Sequence, residues 1–351
     1  MTGRDREKRG IISLPEATLP EDLSFTDVGR YTRKHFFTPM DILRPVVGRP
    51  SAIMQANIRH RSQIAPFLRA FSDSQAPAFI LAISEEVQRN FGVCVEEAAY
   101  FAARIIEEKN NSGKSSGIEK KVAFLFDHAL TYEAAERALE AGVSGIMYDP
   151  SDGGRRAITI EENIILSKKF VELAERYRAS IELEVGVIPG MRGAVETEFT
   201  DPSAVVTLVE TYPNVAVAVS VGNEHYRLSP KGRGLQLDLF RKIREAVPRT
   251  PLVLHGGTGV SDSDLRTSIE SLLLDKLNVG TEFIKQTLLA VAKARGMQRP
   301  TEEQLRDMAF CRGLLFYMDA CPQTYLEDVQ RAVYQEALAK LAFLTGEYRG
   351  L

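Results

Sequence analysis

Three of the five histidines lie at, or just beyond, the end of a predicted buried strand. They are His128 in KVAFLFDHAL, His225 in VAVAVSVGNEH and His255 in TPLVLHGGTG. A single strand-end histidine is more often a core or hydrogen-bonding residue, but three at equivalent places would meet at one rim of a parallel barrel. Three imidazoles on one rim are the ligand set of a catalytic metal with an open coordination position. His35 and His60 lie in N-terminal segments and are interpreted as ordinary hydrogen-bonding residues.

Acidic residues end three of the predicted strands. Asp127 comes directly before His128, where a carboxylate beside a divalent cation could shuttle a proton to a reacting hydroxyl or orient a neighbouring side chain. Glu184 in IELEVG and Asp149 in MYDPSD end two other strands. Each of these two could ligate a second or alternative metal position, hold a histidine, or line a polar mouth.

Two glycine-containing loops follow the last two predicted strands. Their backbone N–H groups, and the helix that begins after each loop, suit an anionic ligand. A lone Gly-Gly pair is usually only a turn, so the prediction depends on two such loops at adjacent strand ends, the habitual phosphate site of α/β barrels. The candidate anion-binding residues are Gly256, Thr258, Asn278, Gly280 and Thr281.

Short apolar runs alternate with amphipathic segments, which predicts strands interleaved with helices. The predicted strands are Ala52–Ala56, Ala78–Ser84, Val122–Asp127, Gly145–Asp149, Ile181–Gly186, Val215–Val221, Leu252–His255 and Lys276–Val279. The predicted helices between them include Thr131–Ala141, Ile160–Ala179, Asp201–Glu210, Leu235–Ala246 and Ser261–Ser271. Most strands are β-branched and only weakly alternating, as in sheets covered on both faces.

This pattern predicts an α/β fold, a TIM (β/α)8 barrel, with an N-terminal extension and extra C-terminal helices. We expect residues 1–50 to pack on the barrel and residues 51–300 to form the (β/α)8 catalytic domain. Residues 301–351 carry two further helical patterns, which we expect to complete the same domain.

Composition excludes several classes of partner. The formal net charge of −3 argues against nucleic acid or an anionic membrane surface. No apolar run approaches the roughly 20 residues needed to cross a bilayer, and the N-terminus MTGRDREKRG lacks the apolar stretch of a secretion signal. Three scattered cysteines do not suggest a disulfide framework. A cytoplasmic enzyme is the expectation.

At these residues the chain resembles the class II, metal-dependent fructose-bisphosphate and tagatose-bisphosphate aldolases. The likeness runs from about residue 50 to 290. The matching segments are FLFDHALTYEAAERALEAGVSGIMYD, Glu184–Gly186, Phe199–Pro202, Gly222–His225, LHGGTGVSD and Asn278–Glu282. Asn57 and Ser84, at the ends of the first two strands, fall where the family places polar residues of the mouth.

The resemblance implies zinc, or another divalent metal, on His128, His225 and His255, polarising the carbonyl of a dihydroxyacetone-phosphate-like ketone. Asp127 would then give or take the proton of the nascent hydroxyl. The implied substrate- and phosphate-binding residues are Asn57, Ser84, Gly222, Gly256, Thr258, Asn278, Gly280 and Thr281. The resemblance also implies a phosphorylated sugar or ketone as substrate and a homo-oligomer, a dimer or a tetramer. A role for a monovalent cation stays open.

The chain departs from the family pattern at three places. Tyr226 stands where the family usually has a glycine after its second histidine, and the stretch from Tyr226 to Leu235 is basic. Met191-Arg192 lies where adjacent acids are usual, and Cys321-Pro322-Gln323 lies where an arginine often precedes the last helix. These departures bear on the substrate rather than on the metal.

Three functions fit these observations. The first is a zinc-dependent aldolase acting on a phosphorylated ketose, with fructose 1,6-bisphosphate as a candidate. The second is a diverged lyase of the same type with a different donor or acceptor. The third is a catalytically silent barrel with a regulatory or structural role, which the retention of three histidines and Asp127 disfavours.

Overall fold

A computed structural model describes residues 23–111, 120–152, 155–156, 158–189, 199–228, 234–320 and 322–346. The departures at Met191-Arg192 and at Cys321 lie outside the described residues. Among the described helices, none is both long and apolar enough to span a lipid bilayer.

Eight parallel strands pair in sequence order and close into a barrel, with the eighth strand hydrogen-bonded to the first. The strands are β1 Ile53–Asn57, β2 Ala78–Ser84, β3 Lys121–Asp127, β4 Gly145–Tyr148, β5 Ser180–Val185, β6 Val215–Val219, β7 Leu252–Leu254 and β8 Lys276–Val279. The predicted (β/α)8 barrel is therefore confirmed, with strand ends shifted by one or two residues.

Helices lie before, between and after the strands. They are α1 Phe25–Thr32, α2 Pro39–Leu43, α3 Ile64–Asp73, α4 Glu85–Phe91, α5 Val95–Asn111, α6 Tyr132–Glu140, α7 Ile160–Tyr177, α8 Pro202–Thr211, α9 Leu237–Ala246, α10 Asp262–Glu270, α11 Thr281–Ala294, α12 Glu302–Arg306, α13 Met308–Ala320 and α14 Pro322–Leu344. Short 3-10 turns occupy Arg33–His35, Arg44–Val46, Arg61–Gln63 and Gly257–Gly259.

The helix starts follow from side-chain caps that are legible in the sequence. Thr131 and Ser261 each accept a hydrogen bond from a backbone N–H of the first turn of α6 and α10. Asp201 caps α8 in the same way, with Pro202 at its first position. These side chains satisfy N–H groups that have no partner within the helix.

The described part of the C-terminal region contains three helices, where two helical patterns were predicted. Asp307 adopts an extended conformation that ends α12, and its Oδ1 accepts a hydrogen bond from Phe310 N at the start of α13. A short polar side chain that can cap a new helix divides what looked like one pattern.

Two hydrophobic clusters divide the core. One joins the outward faces of the strands to the surrounding helices. The other fills the barrel interior with small and branched side chains such as Ala123, Leu125 and Val253. The segment 39–46 covers this inner cluster, because Ile42 and Leu43 pack against it. The end of the barrel where the strands begin is thus closed, which leaves the other rim for ligands.

Candidate metal centre

His128 is held just past β3 in a conformation unusual for a residue with a side chain. Its φ is 47°, in the left-handed region. The chain on either side is fixed, because Ala129 N donates to Met147 O at 2.9 Å and Leu130 N donates to Glu85 Oε2 at 2.8 Å. These contacts hold the strained turn and direct the ring towards the barrel mouth.

His225 lies in the loop after β6, and that loop is braced from both sides. His225 N donates to Pro189 O at 2.8 Å. The Asn223 side chain accepts a hydrogen bond from Val221 N at 2.9 Å and donates to His255 O at 3.2 Å. The Asn223 amide therefore ties the loop that carries His225 to the end of the strand that carries His255.

The structure brings these three histidines together. The ring of His128 lies 5.1 Å, centroid to centroid, from each of the other two rings, and His225 and His255 are 5.6 Å apart. One ring nitrogen from each lies within 4.8 Å of the others. Nδ1 of His128 is buried and has no hydrogen-bond partner among the described residues. A divalent cation is the group that such convergent nitrogens fit.

A buried charged network orients His255. Its Nε2 lies 2.8 Å from Glu182 Oε1, and Lys276 Nζ donates to Glu182 Oε2 at 2.5 Å. Lys276 Nζ also donates to Gln55 Oε1 at 2.5 Å. Nε2 also lies 3.0 Å from Asn278 Nδ2. Because a carboxylate paired with an ammonium is an acceptor, the contact with Glu182 favours the tautomer that carries the proton on Nε2. Nδ1 is then the nitrogen with a free lone pair, as in the carboxylate–histidine–metal arrangement.

Two of the rings are kept neutral by their surroundings. Burial lowers the pKa of His225 well below its ordinary value, and His128, His255 and Arg59 lower it further. Burial also lowers the pKa of His255, an effect that His128 and Lys276 reinforce and Asp127 opposes. A neutral imidazole keeps the lone pair that a metal requires.

Asp127, the last residue of β3, is fixed by one oxygen and free at the other. Asn57 Nδ2 donates to Asp127 Oδ2 at 2.5 Å, and Asn57 Oδ1 accepts from Gln55 Nε2 at 2.9 Å. Oδ1 of Asp127 is buried without a partner among the described residues. The carboxylate lines the same pocket as the three rings. It is therefore placed to exchange a proton with a group bound there.

His128 also belongs to a second cluster, with Asp149 and Glu184, whose ligand atoms lie within 4.8 Å of one another. Burial raises the pKa of Glu184 well above its ordinary value, with Asp149 adding to the effect and the N–H of Ile188 opposing it. Oε2 of Glu184 has no partner among the described residues. The cluster could hold a cation at an alternative position, and a cation would favour the ionised carboxylates.

The predicted anion-binding residues line the pocket around the histidines, with one exception. Lining side chains and backbone come from Asn57, Ser84, Gly256, Thr258, Asn278, Gly280 and Thr281. Gly222 does not line it. Its φ is 102°, and an added Cβ would lie 3.0 Å from the carbonyl oxygen of Gly234. Gly222 therefore serves the turn of the β6 loop.

Tyr226 changes the wall of this pocket. Its φ is 57°, in the left-handed region. Its hydroxyl donates to Glu86, and the Arg59 guanidinium lies 5.2 Å from the centre of its ring. Burial raises the pKa of Tyr226 to about 12, so the phenol stays protonated. All three residues line the metal pocket.

Sequence reasoning missed Glu182, Lys276, Gln55 and Arg59. For the first three a signal exists, because each lies two residues before a recognised polar residue of the same strand: Glu184, Asn278 and Asn57 respectively. Residues two apart on a strand share a face. A polar or charged residue at that spacing in a buried strand marks the barrel interior. Arg59 follows β1 in a loop and carries no comparable signal.

Comparisons with known proteins relate the chain to a family of enzymes. A sequence model of the class-II fructose-bisphosphate aldolases matches residues 38–345. The fructose-bisphosphate aldolase of Streptococcus pneumoniae is 34% identical over 217 residues, which are 61% of this chain and 68% of that protein. The enzyme of the same name from Mycoplasma pneumoniae is 36% identical over 175 residues, 49% of this chain and 56% of that protein.

Solved structures show the same fold. The crystal structure of the YdjI aldolase from Escherichia coli K12 superposes with a TM-score of 0.64 at 22% identity, over 88% of this chain and 97% of that one. A putative fructose-1,6-bisphosphate aldolase from Coccidioides immitis gives 0.63 at 20% identity, over 88% and 96%. The extent of the family match places this chain in the class-II fructose-bisphosphate aldolase family, as an enzyme of the aldehyde-lyase class.

Proposed function

We propose that this protein is a zinc-dependent aldolase that makes or breaks a carbon–carbon bond between a dihydroxyacetone-phosphate-like ketone and an aldehyde. The observation that carries the proposal is the convergence of His128, His225 and His255 beside the free Oδ1 of Asp127. Fructose 1,6-bisphosphate is one candidate substrate. A ketose phosphate with a different aldehyde half is the other, and Tyr226 in the pocket wall favours it.

The donor set supports zinc among the divalent metals. Three imidazoles with no thiolate, open on one side to a pocket, are a frequent catalytic zinc arrangement. When bound, the metal supplies Lewis-acid polarisation of the ketone carbonyl. Glu184 and Asp149 would hold the cation at an alternative position reached from His128.

Asp127 gives or takes the proton of the hydroxyl that forms or disappears at the aldehyde carbon. Only Oδ1 is free to do so, because Asn57 holds Oδ2. The hydrogen bond from Asn57 fixes the orientation of the carboxylate. Asn57 thus acts by positioning Asp127, a role more specific than the substrate contact that its place in the sequence implied.

The ketone phosphate would lie at the glycine-rich side of the mouth. Gly256 has a φ of 68°, and an added Cβ would lie 2.1 Å from Glu224 O. The residue at this position must therefore be glycine. The side chain of Thr258 accepts a hydrogen bond from Glu282 N at 3.0 Å and connects the loop to the start of α11. Backbone donors of Gly256 and Gly280, with Asn278 and Thr281, would surround the anion.

The test is retro-aldol cleavage of fructose and tagatose 1,6-bisphosphates, measured with and without a chelator. We expect turnover that chelation abolishes and that zinc restores, with one zinc bound per chain. Turnover that survives chelation would refute the mechanism. A purified protein that binds no stoichiometric divalent ion would favour a silent barrel.

Three further expectations belong to the proposal. Residues 51–300 would be the catalytic domain, with residues 1–50 and 301–351 completing it. The protein would act in the cytoplasm on a small phosphorylated sugar or ketone, not on nucleic acid or a membrane. It would assemble as a homodimer or homotetramer, which light scattering on the purified protein measures directly.

A further inference from the structure

The pocket around the histidines is small and adjoins further space. Its volume is about 50 Å³, well below the roughly 300–1,000 Å³ of pockets that bury most of a drug-sized ligand. A second cavity of about 500 Å³ adjoins it and shares Arg59, Glu86, His225, Tyr226 and Thr281 as wall. A substrate bound at the histidines can extend into this second cavity.

Tyr226 forms the wall between the two spaces. Its ring centroid lies 6.2 Å from that of His225 on one side, and Arg59 lies against its face. The hydroxyl is anchored on Glu86. A substrate that extends from the metal pocket into the second cavity therefore passes the Tyr226 ring and the Arg59 guanidinium.

Arg59 differs from the other cations in the described lining of the second cavity. Each of the other three is paired with a carboxylate of its own helix or loop: Arg227 with Glu224 at 2.6 Å, Lys285 with Glu282 at 3.1 Å and Arg306 with Glu302 at 3.6 Å. Among the described residues no carboxylate lies within ion-pair distance of Arg59. Its Nε is buried and lacks a hydrogen-bond partner there. Such a guanidinium fits a phosphate or a carboxylate.

The remaining lining of the second cavity is largely apolar. Helices α11, α12 and α13 contribute Ile284, Leu288, Leu305 and Met308. Phe91, the last residue of α4, also lines the cavity. Cavities of this volume, apolar with a few placed polar groups, enclose ligands larger than a three-carbon unit.

We infer that the second cavity binds the aldehyde half of the substrate, and that this half is an anionic aldehyde with a chain longer than three carbons. Arg59, which lines both spaces, binds its anionic group, and Leu305 of the second cavity limits its length. This inference rests on the proposed aldolase function and names the substrate class of that same site.

The first experiment separates the two proposals. Zinc-loaded protein is given dihydroxyacetone phosphate in deuterated water without any aldehyde, and exchange of its carbon-bound proton is followed by NMR. Exchange requires the metal site and the ketone alone. Absence of exchange would overturn the proposed function. With exchange established, the second cavity is tested by the aldehydes that the protein accepts.

The aldehydes are glyceraldehyde 3-phosphate and a series of four-, six- and eight-carbon aldehydes, each with and without a terminal carboxylate. We expect kcat/KM for condensation to rise with chain length beyond three carbons. The carboxylate series should exceed the neutral series by about tenfold or more, as a charged hydrogen bond in a partly buried site implies. A protein that exchanges the ketone proton yet prefers the three-carbon aldehyde overturns the inference.

Three variants assign the preference to named side chains. Arg59→Met should remove the charge preference, mainly through KM, and Arg59→Lys should restore part of it. Leu305→Trp fills the cavity and should lower the ratio of rates for eight- and four-carbon aldehydes. Matched controls are Arg266→Met, whose guanidinium lies 5.2 Å from the Phe343 ring, and Ile165→Trp on the exposed surface of α7. Equal effects in variants and controls would overturn the assignment.

Discussion

The buried pair of Glu182 and Lys276 should control how tightly the protein holds its metal. Glu182 is 2% exposed and Lys276 is fully buried, and the carboxylate joins the ammonium to Nε2 of His255. Removing the ammonium and removing the carboxylate should therefore have different consequences. The first leaves a buried charge without its counter-ion, whereas the second removes the acceptor that orients the metal ligand.

The expected magnitudes follow from this geometry. Lys276→Met leaves Glu182 uncompensated, which should lower the free energy of unfolding by about 3–5 kcal/mol. It keeps the acceptor for His255, so the loss of zinc affinity should be smaller than in variants without that acceptor. The double variant Glu182→Leu/Lys276→Met removes both charges and should recover much of the stability. It should bind zinc about 10–100-fold more weakly, or roughly 1.4–2.7 kcal/mol.

The two quantities are measured separately. Urea unfolding of the metal-free protein gives stability, and competition with a chromophoric chelator gives the zinc Kd. The control is Arg244→Met, which breaks another buried ion pair, between Arg244 and Asp275 just before β8. The control should lose stability in the same range without changing the zinc Kd.

We expect the single variant to be the less stable of the two and the double variant to bind zinc more weakly. Either order can be contradicted by measurement. If the double variant binds zinc within about twofold of the unmodified protein, the carboxylate does not orient His255 and the argument fails. A control that weakens zinc binding equally would show that affinity merely follows stability.

The remaining predictions concern catalysis, pH and backbone strain. Asp127→Asn should keep zinc in metal analysis but lose about 10²–10⁴-fold in kcat, whereas His255→Ala should lose both; equal metal loss would mean a misassigned aspartate. Because folding lowers the pKa of His225 and His255 below the ordinary value of 6.5, the metal-free protein binds fewer protons than its unfolded chain at acid pH. The free energy of unfolding, measured with urea, should therefore have its full value above pH 6.5 and decrease as the pH drops below 6.5. The decrease should be smaller in His225→Asn. Gly256 and Gly296 have φ values of 68° and 67°, but only Gly256 has backbone in the way of a Cβ. Gly296→Ala should cost about 1 kcal/mol of unfolding free energy and Gly256→Ala clearly more; equal costs would show that the loop yields.

Much of the fold could be predicted because local patterns carry it. The strands are buried on both faces, and their apolar runs stand out between capped helices. The errors lie where a side chain redirects the backbone. β6 was predicted to reach Val221 but ends at Val219, because Ser220 exchanges hydrogen bonds with Thr200 instead of continuing the strand ladder. Asp307 divides the C-terminal region for a similar reason.

Part of the candidate site could be predicted from the sequence. Strand ends of a parallel barrel share one rim, so the positions of His128 and His255 implied that they meet. Tyr226 was visible as a departure, but its partners were not. Arg59 and Glu86 lie 167 and 140 positions before it. Only the folded structure shows that Arg59 lies over its ring and that Glu86 accepts a hydrogen bond from its hydroxyl.

The order of strands and helices was determined by the sequence itself, and so was the presence of histidines and carboxylates at the strand ends. Each of these features depends on residues within a few positions of one another. The tertiary structure decided which inward-facing polar groups touch. Lys276 meets Gln55 across 221 positions and Glu182 across 94. Those contacts depend on how far the strands tilt and stagger when the sheet closes, a property of the whole barrel that no local period records.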